Sequence, residues 1–212
     1  PDTEGQDSVY WLEGRPLEGG RNVFCKWTGE TDAVCEITPQ ETNVRTRVHE
    51  YGGAATTLSG DALFYSDFAT QQVYQMSLSD PDSEPKAITV GPTGQYRYAN
   101  GMFDKGLLIC VREDHGPEGK AAPKDGINEI VAVDVATGKE RVLVTGYDFA
   151  ASPRLSNDGK TLACIVWDHP NMPWDGTELW VGALDADGSV SEPERVAGGI
   201  DESIFQPEWS PD

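Results

Sequence analysis

The sequence predicts an all-β chain folded as a β-propeller of four-stranded antiparallel blades, incomplete here, with about three whole blades and parts of two more. Three observations carry that expectation. The 23 Gly and 14 Pro of the 212 residues lie between short apolar runs, which suits a chain of many tight turns. The stretch "GLLICVREDH" (106–115) repeats as "KTLACIVWDH" (160–169), so that Cys110, Asp114 and His115 align with Cys164, Asp168 and His169. Around each copy the order is strand, Gly/Asp turn, strand, variable loop, strand, Gly-containing turn, strand. A β-sandwich with coincidental spacing is the alternative architecture.

Taken in order, residues 8–38 read as a blade lacking its first strand, with "SVYWLE", "RNVFCKW" and "AVCEIT" as its ribbons. Whole blades follow at roughly 53–90, 98–144 and 151–197. In the first of these, "DALFYSDF" and "QQVYQMSL" supply the middle strands; in the others "NEIVAVDVATG" and "TELWVGALDADG" match as third strands with their turns. Residues 203–212, "IFQPEWSPD" from Ile204 onward, read as the first strand of a further blade. The chain opens without Met and closes inside that strand, so both ends are expected to be cuts.

Composition narrows the function classes. Sixteen basic against 36 acidic side chains give a net charge of −20, which repels phosphate backbones and anionic lipid alike. Nucleic acid and membrane are therefore not expected partners, and no run approaches the roughly 20 apolar residues of a membrane span. The expected location is cytoplasmic. Cys25, Cys35, Cys110 and Cys164 lack CxxC spacing, which disfavours zinc. A hairpin turning at Glu30 would set Cys25 opposite Cys35, leaving a cross-strand disulfide open; free, buried thiols are the preferred reading.

Blade geometry sorts the loops. Strands alternate in direction, so the loop after each second strand and the link to the next blade share one face. The loops are Glu13–Arg15, Ser66–Phe68, Arg112–His115 and Trp167–Asp175; the links are 46–53, 94–98, 146–150 and 199–205. Nearly every unusual polar or aromatic residue falls in these two groups, and one-sided loops on a rigid scaffold are where binding concentrates. In "WDHPNMPWD", Trp167, Met172, Pro173 and Trp174 offer apolar and aromatic contact area. Asp168, Asp175, Glu50, Glu113, Asp114 and Glu202 suit an ammonium group, whereas Arg47, Arg97 and Arg112 suit a carboxylate or carbonyl.

Plainer readings stand beside these. Tyr51, Tyr98 and Trp209 lie in or beside first strands, where aromatics pack. Asp114 and Asp168 suit the capping of loop amides. In "HEYGG", Gly52 and Gly53 let the backbone pass close to something. His49–Glu50, Asp114–His115 and Asp168–His169 raise a metal reading, but neighbouring loop residues rarely aim at one ion, so no metal or other cofactor is expected.

"VYWLEGRPLEGGRNV", "VRTRVHEYGG", "RYANG", "VREDH", "SPRLSNDGKTLACIVWDHPNMPWDGTELWV" and "ESIFQPEWSPD" together resemble the propeller of prolyl oligopeptidase-family serine peptidases. The acylaminoacyl-peptidase and dipeptidyl-aminopeptidase-like members are the nearest group. The resemblance implies an α/β-hydrolase domain of the same parent chain as partner, carrying the Ser, Asp and His of catalysis, and peptides as substrate. No GxSxG elbow occurs here, so no catalytic residue is expected in this chain and the hydrolase domain is expected to be absent from it. On that view the crowded rim gates and orients peptides, with His49, His115 and His169 among its residues. The open blade edges of such a fragment are expected to favour self-association. A stand-alone propeller serving as a protein-binding scaffold is the alternative.

Overall fold

The computed structural model describes residues 8–29, 33–80, 82–116, 124–185 and 188–211. Its fold is the expected one: all-β, with four antiparallel sheets arranged as a partial propeller. The first sheet has three strands, β1 (Ser8–Arg15), β2 (Arg21–Thr28) and β3 (Ala33–Glu36). The second holds β4 (Thr56–Ser59), β5 (Ala62–Ser66), β6 (Val73–Ser77) and β7 (Lys86–Ala87). The third holds β8 (Tyr96–Asp104), β9 (Leu107–Asp114), β10 (Ile127–Asp134) and β11 (Glu140–Val144). The fourth holds β12 (Phe149–Leu155), β13 (Thr161–Trp167), β14 (Glu178–Leu184) and β15 (Val190–Gly198). In every sheet each strand pairs with its neighbour in sequence; from sheet to sheet β4 approaches β8, and β12 approaches β8, β9 and β10.

The alternation of side chains along a strand explains why the middle strands read as continuous apolar runs. On β9, Leu108 and Cys110 turn toward the second sheet and pack with Phe64, Val73 and Tyr98. Ile109 and Val111, one residue out of phase, turn toward the fourth sheet and pack with Leu162, Cys164 and Val166. β10 divides likewise, Val131 and Val133 on one side, Ile130 and Ala132 on the other. Both faces of these strands are thus buried between blades, and each such Ile or Leu contributes on the order of 1.5–3 kcal/mol. Cys110 and Cys164 occupy equivalent seats, each facing the preceding sheet, so the repeat in the sequence is a repeat of position.

The cysteines are all free, and the disulfide left open by the sequence does not form. The β2–β3 register sets Cys25 opposite Glu36 and Lys26 opposite Cys35. One residue of offset puts Cys25 in the interior and Cys35 on the outside. Glu30, the expected pivot, lies outside the described residues. Burial pushes the Cys164 thiol up to about 12 and the Cys110 thiol upward as well, so both are inert.

The strand expected at 203–212 does not form among the described residues 203–211. The segment lies against β12 through side chains instead. Trp209 Nε1 donates to the Arg154 carbonyl at 3.0 Å, Arg154 pairs with Glu208 at 2.9 Å, and Asn157 donates to the Ser210 carbonyl. A strand needs a ladder partner; the segment makes isolated contacts instead, including those of Ile204, whose N–H donates to the Thr177 hydroxyl oxygen.

Candidate functional site

The residue that organises the rim is Glu113, at the end of β9 and only 1% exposed. Its carboxylate accepts the backbone N–H of His49 at 2.6 Å and meets the His115 ring at 3.0 Å, with Arg97 Nη1 at 3.6 Å. Arg97 in turn donates to the Arg47 carbonyl at 3.0 Å and to Glu50 at 2.6 Å. The link between the first two sheets, residues 46–53, is therefore clamped onto the third. Burial raises the Glu113 carboxyl above the usual carboxylate range, against the pull of its bonds to His115 and the His49 backbone.

This link has an unusual backbone. His49 and Glu50 both adopt left-handed φ, 56° and 62°, and Gly52 follows at 88°. Two consecutive non-glycine residues in that region are costly and persist where surroundings fix them, here the Glu113 and Arg97 contacts. Gly52 and Gly53 do pass close to something, namely the protein itself: a Cβ on Gly53 would stand 2.5 Å from Asn100 Oδ1. The turn drives Val48 into the seam between the third and fourth sheets and His49 against the end of the fourth.

His49 enters an aromatic cluster. Its ring meets Trp167 at 5.1 Å and Phe149 at 5.6 Å, both edge-on, and Tyr51 at 5.6 Å. Phe149 stacks on Trp167 at 5.3 Å and receives His169 edge-on at 5.1 Å, while Tyr51 lies 6.3 Å from Trp174. Burial lowers the His49 imidazole to about 4, hydrogen bonding to Asn128 and the Ala150 backbone only partly opposing it, so the ring is neutral at pH 7. His49 Nε2 and Trp167 Nε1 are both buried without a hydrogen-bond partner.

A cleft of about 170 Å³ opens between the link and the loops of the third and fourth sheets. His49, Tyr51, Phe149, Trp167, His169 and Met172 line it, with Glu50, Glu113 and Asp125 as its carboxylates. Asp125 and His169 meet at 3.1 Å, joining the loops of two blades. A second hollow of about 150 Å³ lies alongside, shared by Trp167, Asp168 and His169 with Tyr147, Asn171 and Ile200.

Other expected site residues go elsewhere. Arg112 is consumed within its sheet, bonded to Glu129 and Glu140 with Tyr96 under its guanidinium at 5.1 Å, so it is not offered to a ligand. Arg47 lies over the Phe68 ring at 4.4 Å. Asp114 accepts the Gly116 N–H at 2.8 Å, and Asp168 accepts the Asp148 N–H at 2.7 Å, so both cap loop backbone. Asp175 accepts the Met172 N–H at 3.0 Å and closes the turn that carries Pro173 and a 65% exposed Trp174. The Pro173 carbonyl receives the Ser203 hydroxyl, and the exposed Glu202 contributes its carbonyl to Thr177. The peptide bond between His169 and Pro170 is cis. The three histidines end on different partners, and among the described residues no three His, Cys, Asp or Glu side chains gather as metal ligands. Phe149 and Asp125 were not singled out from the sequence; Phe149 lay in a recognised rim link, whereas nothing marked Asp125.

Comparison with known proteins then supplies the context. The chain superposes on puromycin hydrolase with a TM-score of 0.83 and 29% identity, over 99% of this chain and 35% of that one. A mutant of the same enzyme complexed with PGG gives 0.85 and 28%, with the same coverage. A Mycobacterium tuberculosis puromycin-hydrolyzing peptidase gives 0.81 and 34%, over 98% of this chain and 33% of that one. The architecture is that of a peptidase's propeller domain. The resemblance drawn from the sequence is borne out at that level, and this propeller spans about a third of the length of the peptidases it matches. No protein-family model matches the chain. The curated proteins hold no match to it either.

Proposed function

We propose that this chain is the non-catalytic propeller portion of a prolyl oligopeptidase-family serine peptidase, of the acylaminoacyl-peptidase or dipeptidyl-aminopeptidase-like group. Its rim gates and orients peptides for an α/β-hydrolase domain of the same parent protein, which carries out acyl transfer through a Ser nucleophile. One observation carries the reading. The 46–53 link, two blades away in sequence, reaches over the third sheet to build a cleft with Phe149, Trp167 and His169 of the fourth, on a fold shared with puromycin-hydrolysing peptidases. The exposed Trp174, Ile200 and Phe205 beside it offer apolar area to a partner surface. The test is Trp174→Ala in the full-length protein. Peptide turnover across a series of lengths, or the docking of the hydrolase domain, should change while the melting temperature holds; a change in melting alone refutes the reading.

A second reading, a stand-alone scaffold for protein binding, draws on the same exposed residues. The coding sequence beyond Asp212 separates the two: further blades and a GxSxG elbow support the peptidase, a stop after a few blades the scaffold.

A further inference from the structure

We infer that Arg45, Arg47 and Phe68 form a seat for a carboxylate, outside the cleft described above. Burial alternates along the chain leading into the 46–53 link. Val44, Thr46 and Val48 are buried, and Arg45 and Arg47 between them are exposed. That period of two sends both arginines outward on one side. Both guanidiniums then lie over one ring, that of Phe68 in the loop after β5, at 5.1 Å and 4.4 Å. The loop is braced beneath them. The Phe68 N–H donates to the Asn43 carbonyl at 2.9 Å, and the Phe68 carbonyl accepts the Gln71 side-chain amide at 2.8 Å. The same Gln71, itself buried, accepts the Arg47 N–H at 2.8 Å through Oε1. One buried side chain thus ties the backbone of Phe68 to that of Arg47.

What sets this pair apart is the missing counter-charge. Arg15, Arg21, Arg97, Arg112, Arg154 and Arg195 each bond a carboxylate. Among the described residues Arg45 and Arg47 have no such partner, in a chain of 36 acidic against 16 basic side chains. Asp67, the carboxylate of the same loop, is taken by the Thr70 N–H at 3.0 Å and the Thr70 hydroxyl at 3.1 Å. Sharing one ring keeps the two like charges within about 10 Å of each other, a span that salt at roughly 0.1 M screens only in part. Stacking uses the faces of the guanidiniums and leaves their in-plane N–H donors to face outward. A carboxylate placed there accepts from those donors and relieves the repulsion. A neutral amide would relieve nothing, and a cation would add to it. The carboxylate's two natural sources are a free small acid and the carboxyl terminus of a peptide. The inference concerns binding alone and stands whether or not the parent protein hydrolyses anything.

The test is a ligand-detected NMR titration of the purified full-length protein, treated beforehand with a fluorophosphonate so that peptides survive the measurement. Propionate should bind at least ten-fold tighter than propionamide, its neutral counterpart. Arg45→Gln and Arg47→Gln should each weaken propionate at least five-fold while leaving the melting temperature in place, since both side chains are exposed. Lys139→Gln removes an exposed charge from elsewhere on the surface and should leave propionate binding unchanged. Tri-alanine identifies the source: tighter binding than propionate assigns the peptide terminus, and weaker binding assigns the free acid. Equal binding of acid and amide, absence of binding, full retention in both arginine variants, or an equal loss in Lys139→Gln overturns the inference. None of these results touches substrate gating by the rim, which is judged on the turnover of Trp174→Ala.

Discussion

The backbone N–H of His49 donates to the carboxylate of Glu113 at 2.6 Å, across 64 residues of sequence and from one blade's approach to another blade's core strand. That bond fixes a left-handed turn, and the turn in turn places an imidazole among aromatic rings.

Removing the acceptor should therefore be expensive. Glu113→Ala leaves the His49 N–H, the His115 ring and Arg97 without their shared partner, and should cost about 3–5 kcal/mol in chemical denaturation. Glu113→Gln keeps an oxygen for the His49 N–H and should lose less than half as much. Equal losses in the two variants would show that shape, not hydrogen bonding, is what the position supplies.

Acid should destabilise the fold through His49. The unfolded imidazole takes its proton near 6.5, while the folded one holds out to about 4. Between those values the unfolded chain binds more protons, so stability present above pH 6.5 is lost as pH falls toward 4, by roughly 3 kcal/mol in all. Glu113 acts in the opposite sense. Its folded carboxyl keeps a proton to higher pH than the unfolded one, so its contribution declines as pH rises through that raised range. His49→Gln should abolish the acid loss and expose the Glu113 slope in denaturation measured from pH 7 to 4.5; an unchanged profile would acquit His49.

The two tryptophans of the 167–175 loop should behave differently. Trp167, 5% exposed in its stack with Phe149, should cost about 3–5 kcal/mol on replacement by Ala. Trp174, 65% exposed, should stay within about 0.5 kcal/mol of the parent. Thermal or chemical unfolding distinguishes these outcomes directly.

Thiol chemistry checks the register of the first sheet. In the native protein Cys35 should react with an aromatic disulfide reagent within minutes, and Cys25, Cys110 and Cys164 only on unfolding. Rapid reaction of two or more native thiols would contradict the burial of Cys25.

The parts of this fold legible in the sequence are those governed by local rules. Short apolar runs and turn residues located the strands, and the match of "LICVREDH" to "LACIVWDH" marked Cys110 and Cys164 as equivalent before either was seen to face the preceding blade. Loop direction placed His49, Tyr51, Trp167 and His169 on one rim. What stayed hidden depends on long-range pairing. Arg112 looked free until Glu129 and Glu140, on the two strands beyond it in the sheet, claimed it. Cys25 and Cys35 looked opposed because a count from Glu30 cannot reveal a one-residue offset in register. Asp125 carried no local mark at all, since its place beside His169 follows only from how two blades approach.

The reach of the 46–53 link bears on how such a molecule comes apart. A row of stacked units ordinarily holds together through adjacent pairs, and its ends can fray one unit at a time. Here Val48 is wedged in a seam between two later units, and His49 is pinned beyond it. Peeling away the fourth sheet would expose the link, and loosening the link would unseat the third, so the blades should melt as one cooperative body.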